Sequence, residues 1–198
     1  KPIVKEWCFT PNNEKTIYQG NDVSALFREA HQMLYNYEVT SLRWTAEYRP
    51  GNYLLRQEAA KFMTEFAKNV LCRQKTKTYQ NKFNDIAWVD PTLKSYIIES
   101  YEYGIFKWDS WGKYTTFRPK EVIKKNELAA IMVRLITNEF SEGTKGDWSK
   151  NYRVTLDKYL EGVKFTSVSR ANVAEVIYSL YKNNKFVMKD VWYVVVDK

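Results

Sequence analysis

One amphipathic helix pattern occurs three times along this chain, and it limits the fold more than any other feature. In residues 54–70 the apolar positions are Ala59, Phe62, Met63, Phe66 and Ala67. In 122–137 they are Leu128, Ile131, Met132, Leu135 and Ile136, and in 168–182 they are Val173, Val176, Ile177, Leu180 and Tyr181. Each set is spaced i, i+3, i+4, i+7, i+8, which puts all five residues on one face of an α-helix. An alanine follows the first apolar position every time, as Ala60, Ala129 and Ala174, and a residue that small lets another helix approach closely. Faces of this kind must be buried against further helices, so the expected fold class is mainly α.

A second amphipathic segment precedes each of these helices. The three run from Asp22 to Tyr37, from Asp90 to Tyr103 and from Ser149 to Val163. The middle one opens on Asp90-Pro91, an N-cap followed by proline at the first helical position, and stops at Gly104. Tyr35-Asn36-Tyr37-Glu38-Val39 aligns with Tyr101-Glu102-Tyr103-Gly104-Ile105, and the loops that follow close on Tyr48-Arg49-Pro50 and Phe117-Arg118-Pro119. From those prolines the same offsets lead to Arg56 and Lys125, and then to Glu58 and Glu127. The third unit has a short connection and no such proline. The chain therefore divides into an extension (1–19), unit 1 (20–75), unit 2 (83–140), a short unit 3 (147–184) and a C-terminal extension (185–198). In the last of these the run Val191-Trp192-Tyr193-Val194-Val195-Val196 predicts one short strand. An exposed strand edge is adhesive, so it is expected to pair with the N-terminal segment or to pack on the helices.

The scarce residues narrow the chemistry. The chain has 198 residues, a formal net charge of +8, one histidine and two cysteines. No cluster has the ligand spacing of a zinc site, and neither a phosphate-binding glycine loop nor a GxSxG elbow occurs. Paired carboxylates acting across the fold leave no sequence pattern. No cofactor, no metal and no enzymatic activity are expected. His31 falls at the edge of the stripe Val23, Leu26, Phe27, Ala30, Leu34, a structural position rather than a catalytic one. Cys8 and Cys72 either form one disulfide in an exported protein or pack as two buried thiols. No apolar run approaches the roughly 20 residues of a membrane span, and no signal peptide opens the chain, so any targeting segment is expected to be removed or absent.

The ordered motifs of unit 2 resemble the S-layer homology domain, whose unit reads FxDV, a helix ending in GI, a loop closing with FxP, and a helix opening on ITRAE. Unit 2 has Phe83-Asn84-Asp85-Ile86, Gly104-Ile105, Phe117-Arg118-Pro119 and Ile123-Lys124-Lys125-Asn126-Glu127-Leu128. Unit 1 keeps Tyr48-Arg49-Pro50 and Leu54-Leu55-Arg56-Gln57-Glu58-Ala59, while unit 3 keeps only Val168-Ser169-Arg170-Ala171-Asn172 and its helix. The resemblance implies a pseudo-threefold bundle of three helix-loop-helix units. It also implies an extracellular, cell-wall or S-layer location. Grooves between units would bind an anionic, often pyruvylated, wall polysaccharide, with other surface-layer proteins as further partners.

Residue chemistry offers candidates for that binding. Arg56, Lys125 and Arg170 each place a cation in a first helical turn, where the helix already carries partial positive charge. Such a cation calls for an anion, either a ligand carboxylate or phosphate held together with free backbone N–H groups, or an acid of a neighbouring unit such as Glu58. Glu58 and Glu127 stand at the third helical position of a capping box, but Leu55 and Lys124 replace its hydroxyl, and unit 3 has Ser169 with Asn172 in place of the acid. These two glutamates are either structural caps or ligand contacts. The loop 107–120 interleaves Trp108, Trp111 and Tyr114 with Lys107, Lys113, Arg118 and Lys120, aromatic faces and cations suited to an acidic glycan, or a small inward cluster that pins the loop. Trp44 is a weaker instance in unit 1. Two other function classes compete. The basic aromatic composition also fits nucleic acid, but acids are interleaved throughout and no recognition motif occurs, so no nucleic-acid partner is expected. Degenerate units also fit a purely structural module.

Overall fold

The computed structural model describes residues 9–19, 23–80, 83–106, 109–111, 114–137, 147–184, 186–189 and 192–195. It is mainly helical. The first helix, α1 (Ala25–Asn36), begins where the Ser24 hydroxyl accepts from Phe27 N at 2.9 Å. A four-residue helix, α2 (Thr45–Tyr48), follows inside the stretch expected to be loop. The helix α3 (Arg56–Glu65) continues into a π-helical turn over Phe66–Val70. The next, α4 (Pro91–Glu102), starts as its sequence dictates: the Asp90 carboxylate accepts from Thr92 N at 3.0 Å and from Leu93 N at 3.4 Å, with proline in the first turn. The set is completed by α5 (Lys125–Thr137), α6 (Lys150–Tyr159) and α7 (Arg170–Asn183).

All three recurring stripes are buried apart from Tyr181, which is half-buried. Ala59, Met63, Ala67, Leu128, Met132, Ile136, Val173, Ile177 and Leu180 are at most 1 % exposed, and the alanines Ala60, Ala129 and Ala174 are sealed with them. The helices pack in pairs: α3 on α4, α5 on α6, and α1 on α7. The first two pairs join neighbours in sequence, whereas the third brings together the first and last helices. Each pair therefore draws its helices from two different sequence units.

Backbone geometry recurs at matching positions. Behind α1, α4 and α6 the chain turns through the left-handed region at Glu38 (φ 54°), Gly104 (φ 70°) and Gly162 (φ 76°). Behind α1 the Leu34 carbonyl accepts from Val39 N and Thr40 N at 2.8 and 3.2 Å, and behind α4 the Ser100 carbonyl accepts from Ile105 N and Phe106 N at 2.9 and 3.3 Å. Glycine adopts this conformation freely, while a side chain such as that of Glu38 costs roughly 1 kcal/mol.

Two extended segments differ from expectation. Within 107–120 the chain forms an antiparallel hairpin of β1 (Asp109–Trp111) and β2 (Tyr114–Thr116), with Trp111 opposite Tyr114. A two-residue connection is typical of a tight antiparallel hairpin. At the C-terminus there are two strands instead of one: β3 (Phe186–Lys189) pairs with β4 (Trp192–Val195), and β4 lies against α5. Phe186-Val187-Met188 supplies the apolar, extended partner expected from the N-terminal segment, of which residues 1–8 lie outside those described. Cys72 is disulfide-bonded; Cys8, the other cysteine of the sequence, also lies outside the described residues. His31 is completely buried, stacked on Phe27 and tilted against Tyr48, with Nε2 at 2.7 Å from the Leu42 carbonyl. Burial holds its pKa below the ordinary value, against the opposing pull of that hydrogen bond. Among the described residues no helix is long and apolar enough to cross a membrane.

Candidate functional site

The starts of α3, α5 and α7 meet. The segment entering α3 lies between the segments entering the other two helices, bridged at Tyr53 to Ser169 and at Leu55 to Val122. Leu54 N donates to Val168 O at 3.0 Å, and Leu54 O accepts from Ile123 N at 3.0 Å. A helix start leaves its first N–H groups without intrahelical partners, and here the neighbouring turn provides them. Arg56 N and Gln57 N donate to Glu121 O (2.8 Å) and Pro119 O (3.1 Å), and Arg170 N and Ala171 N donate to Asn52 O (2.8 Å) and Pro50 O (2.9 Å). The N–H groups that the sequence offered as free for an anion at Arg56 and Arg170 are therefore occupied, because each X-Arg-Pro turn lays its carbonyls across the start of another helix.

The three cations differ sharply in their surroundings. Arg56 is 3 % exposed; its Nε donates to the Phe117 carbonyl at 2.6 Å, a guanidinium nitrogen lies 2.9 Å from Glu127, and the group stacks over Phe106 and Phe117. Arg170 pairs with Glu58 at 3.1 Å and lies over the Tyr48 ring. Lys125 is exposed, its ammonium over Phe165 at 5.7 Å, and it has no ion pair among the described residues. Two cross-unit ion pairs are thus built, Arg56 to Glu127 and Arg170 to Glu58. The matching partner for Lys125 would stand at Asn172, whose amide oxygen accepts instead from Thr166 N and Ser167 N.

Glu58 and Glu127 also serve as caps. Glu58 accepts from Leu55 N and Glu127 from Lys124 N, each at 2.9 Å, which is the carboxylate half of a capping box. Ser169 supplies the hydroxyl half for α7 by accepting from Asn172 N at 3.2 Å. Burial alone would raise the Glu127 carboxyl; the Arg56 charge, the Lys124 N–H and Arg118 outweigh it and hold the pKa below the usual carboxylate value.

Of the aromatic loop candidates, Trp108 and Lys113 lie outside the described residues, and Trp111 is described only as backbone in β1. The exposed aromatic side chain beside this region is Trp88, 59 % exposed, with the Lys120 ammonium over its ring at 4.7 Å. Trp44 is half-buried and bridged in parallel to Ile17.

Between α1, the turn at Arg49–Asn52 and the start of α7 lies a groove of about 680 Å³, lined among others by Ser24, Phe27, Arg49, Asn52, Ser169 and Glu175. Its walls are tied together by Ser24 Oγ donating to Glu175 at 2.6 Å. Arg49 heads this groove at φ 54°, and Arg118, at the matching X-Arg-Pro position, has φ 59°. The Arg118 turn is held by Asp85, whose carboxylate accepts from Phe117 N and Arg118 N at 2.8 and 2.7 Å; this is the work of the acid in Phe83-Asn84-Asp85-Ile86. The sequence displayed both arginines in a repeated tripeptide, but nothing local to that tripeptide marks the groove, which needs residues from both ends of the chain. No family model and no curated protein matches this chain.

Proposed function

We propose that the chain is a three-unit, pseudo-threefold helical domain similar to S-layer homology domains. In this reading it is a non-catalytic extracellular anchor that binds an anionic cell-wall polysaccharide. The observation that carries the proposal is the closing helix pair. The first helix packs on the last as α4 packs on α3 and α6 on α5, and a groove with an arginine, a glutamate and several hydroxyl and amide groups opens at that junction. Mixed charge and hydroxyl-binding groups in a cavity of this size suit a sugar, since small-ligand sites span roughly 300–1,000 Å³. The disulfide at Cys72 supports an oxidising, exported location. Neither membrane insertion nor nucleic-acid binding belongs to this function, and other surface-layer proteins are natural neighbours of such an anchor.

Co-sedimentation with cell-wall sacculi of the source organism tests it, intact against stripped of secondary polymers, at low and moderate salt. Retention on intact sacculi alone, surviving moderate salt, is the expected result; equal retention on both, or none, refutes it. A second reading, a structural module that docks on a neighbouring protein domain, draws on the internal engagement of Arg56 and Arg170. It is favoured if no sacculus preparation retains the chain.

A further inference from the structure

We infer that Tyr37 and Tyr181 form a site of oxidative cross-linking, where a haem peroxidase turning over hydrogen peroxide joins the two rings as dityrosine. The bond fastens the seam between α1 and α7 covalently. Nothing in it depends on the polysaccharide reading above.

Tyr37 ends α1 and Tyr181 stands in the last turn of α7, 144 positions apart in sequence. Their phenol oxygens lie 3.0 Å apart and share a hydrogen bond, and their rings meet edge to face with centres 5.7 Å apart. Two tyrosines near them in sequence are engaged differently: Tyr35 donates to Glu14 at 3.0 Å and Tyr178 to Glu29 at 2.8 Å. A carboxylate partner offers nothing to couple with, whereas a tyrosine partner places a second oxidisable ring at hydrogen-bond distance. Both rings are half-buried, open enough to lose an electron to an outside oxidant. Tyr37 is also held in place, its ring beside Phe9 at 6.4 Å and its carbonyl accepting from the Asn69 amide at 2.8 Å. A second pair, Tyr79 and Tyr101, has ring centres 5.9 Å apart. There the Tyr79 oxygen accepts from Phe83 N at 3.0 Å, and Tyr101 is only 6 % exposed.

The two phenols and the peroxide balance the step. Each tyrosine loses one electron and its hydroxyl proton and becomes a neutral phenoxyl radical. Spin in a phenoxyl spreads to the carbons beside the C–O carbon, so two adjacent radicals join there through a carbon–carbon bond. The hydrogens on the joined carbons then move to the oxygens and restore both phenols. In sum, two phenols lose two hydrogen atoms, and these reduce one hydrogen peroxide to two waters. Holding the rings together makes the coupling unimolecular, which favours it over the joining of separate chains. The disulfide at Cys72 is an oxidative cross-link in the same chain, of the kind that persists in oxidising compartments. A bond between residues 37 and 181 closes a loop of most of the chain, and long closed loops restrict the unfolded state most.

The test treats the dilute, purified full chain with a haem peroxidase and hydrogen peroxide. Dityrosine fluorescence, intact mass and peptide mapping follow the reaction. The expected product is a monomer lighter by two hydrogen atoms, in which fragmentation of the joined peptides places the bond between Tyr37 and Tyr181. Tyr37→Phe and Tyr181→Phe are each expected to lose nearly all of the fluorescence, whereas Tyr35→Phe and Tyr178→Phe keep it; melting curves verify that each variant is folded. The cross-linked chain is expected to unfold at a urea midpoint higher by about 1–2 M. Absence of dityrosine, a bond mapped to Tyr79 and Tyr101 or between two chains, or a folded Tyr37→Phe or Tyr181→Phe protein with more than half of the wild-type yield overturns the inference. A cross-linked chain whose urea midpoint has not moved also overturns it, since the seam would then gain nothing from the bond. Retention on sacculi bears on none of these outcomes, so the wall-binding reading stands or falls separately.

Discussion

Replacing Arg56 by alanine is expected to cost the fold far more than the equivalent change at Lys125, although the sequence presents the two as the same position. Arg56 is 3 % exposed and makes three kinds of contact. Its Nε satisfies the carbonyl of the fully buried Phe117, and an unsatisfied buried acceptor costs about 1–3 kcal/mol. Its guanidinium pairs with Glu127 at 2.9 Å. Breaking a buried pair commonly costs about 3–5 kcal/mol, less here because Glu127 keeps Arg118 at 2.7 Å and the Lys124 N–H. Stacking on Phe106 and Phe117 adds up to about 1–2 kcal/mol. These terms share atoms and do not add fully, so the expected loss is about 3–4 kcal/mol, near 6–16 °C in a chain of this size. Arg170→Ala, with a pair partly open to solvent, should lose about 1–2 kcal/mol. Lys125→Ala should lose about 0.5 kcal/mol or less. Differential scanning calorimetry of the three variants, with Arg56→Met as a control that keeps the volume, ranks them directly. An Arg56→Ala protein melting within 2 °C of wild type, or a Lys125→Ala protein melting as low as it does, would refute this account of the helix starts.

Three further outcomes are expected. His31 is the sole histidine and its folded pKa lies below 6.5; below that pH the unfolded chain binds a proton that the native state refuses. Stability should therefore fall by up to about 1.4 kcal/mol per pH unit until the folded pKa is reached, and His31→Gln should flatten urea-denaturation stability between pH 6.5 and 5; parallel curves would count against it. Asp85→Ala removes a carboxylate that receives two backbone N–H groups and should cost about 2–4 kcal/mol in urea unfolding, with a loss under 0.5 kcal/mol showing that the Arg118 turn holds itself. Reducing the disulfide at Cys72 should lower stability by about 2–5 kcal/mol, and a melting temperature unmoved by reductant would contradict that.

The helices were legible because their information is local. Spacing fixed the three buried stripes, Asp90-Pro91 fixed the start of α4, and Gly104 its end. Where local rules failed, the deciding partner was distant in sequence. Nothing in Arg56 and Lys125 as residues tells that one meets Glu127 in the core while the other stands in solvent, because the difference lies in Asn172 replacing an acid. The π-turn at Phe66–Val70, where Asn69 reaches the Tyr37 carbonyl at 2.8 Å, likewise depends on a contact outside its own helix. The exposure of Arg49 without an ion pair among the described residues likewise follows from Asn52 standing where Arg118 has Glu121, not from the tripeptide that carries it.

The contact between α1 and α7 also differs from the other two helix pairs in how it must form. Ser24 to Glu175, and Glu29 to Tyr178 and Lys182, join residues roughly 150 positions apart, whereas α3–α4 and α5–α6 join helices that follow one another in sequence. Loop-closure entropy makes such a seam slow to form and the natural last step of folding. A groove located on the seam does not exist until the whole chain has come together. Any ligand held there puts its binding free energy into keeping the seam shut, so the occupied domain should open from other places first.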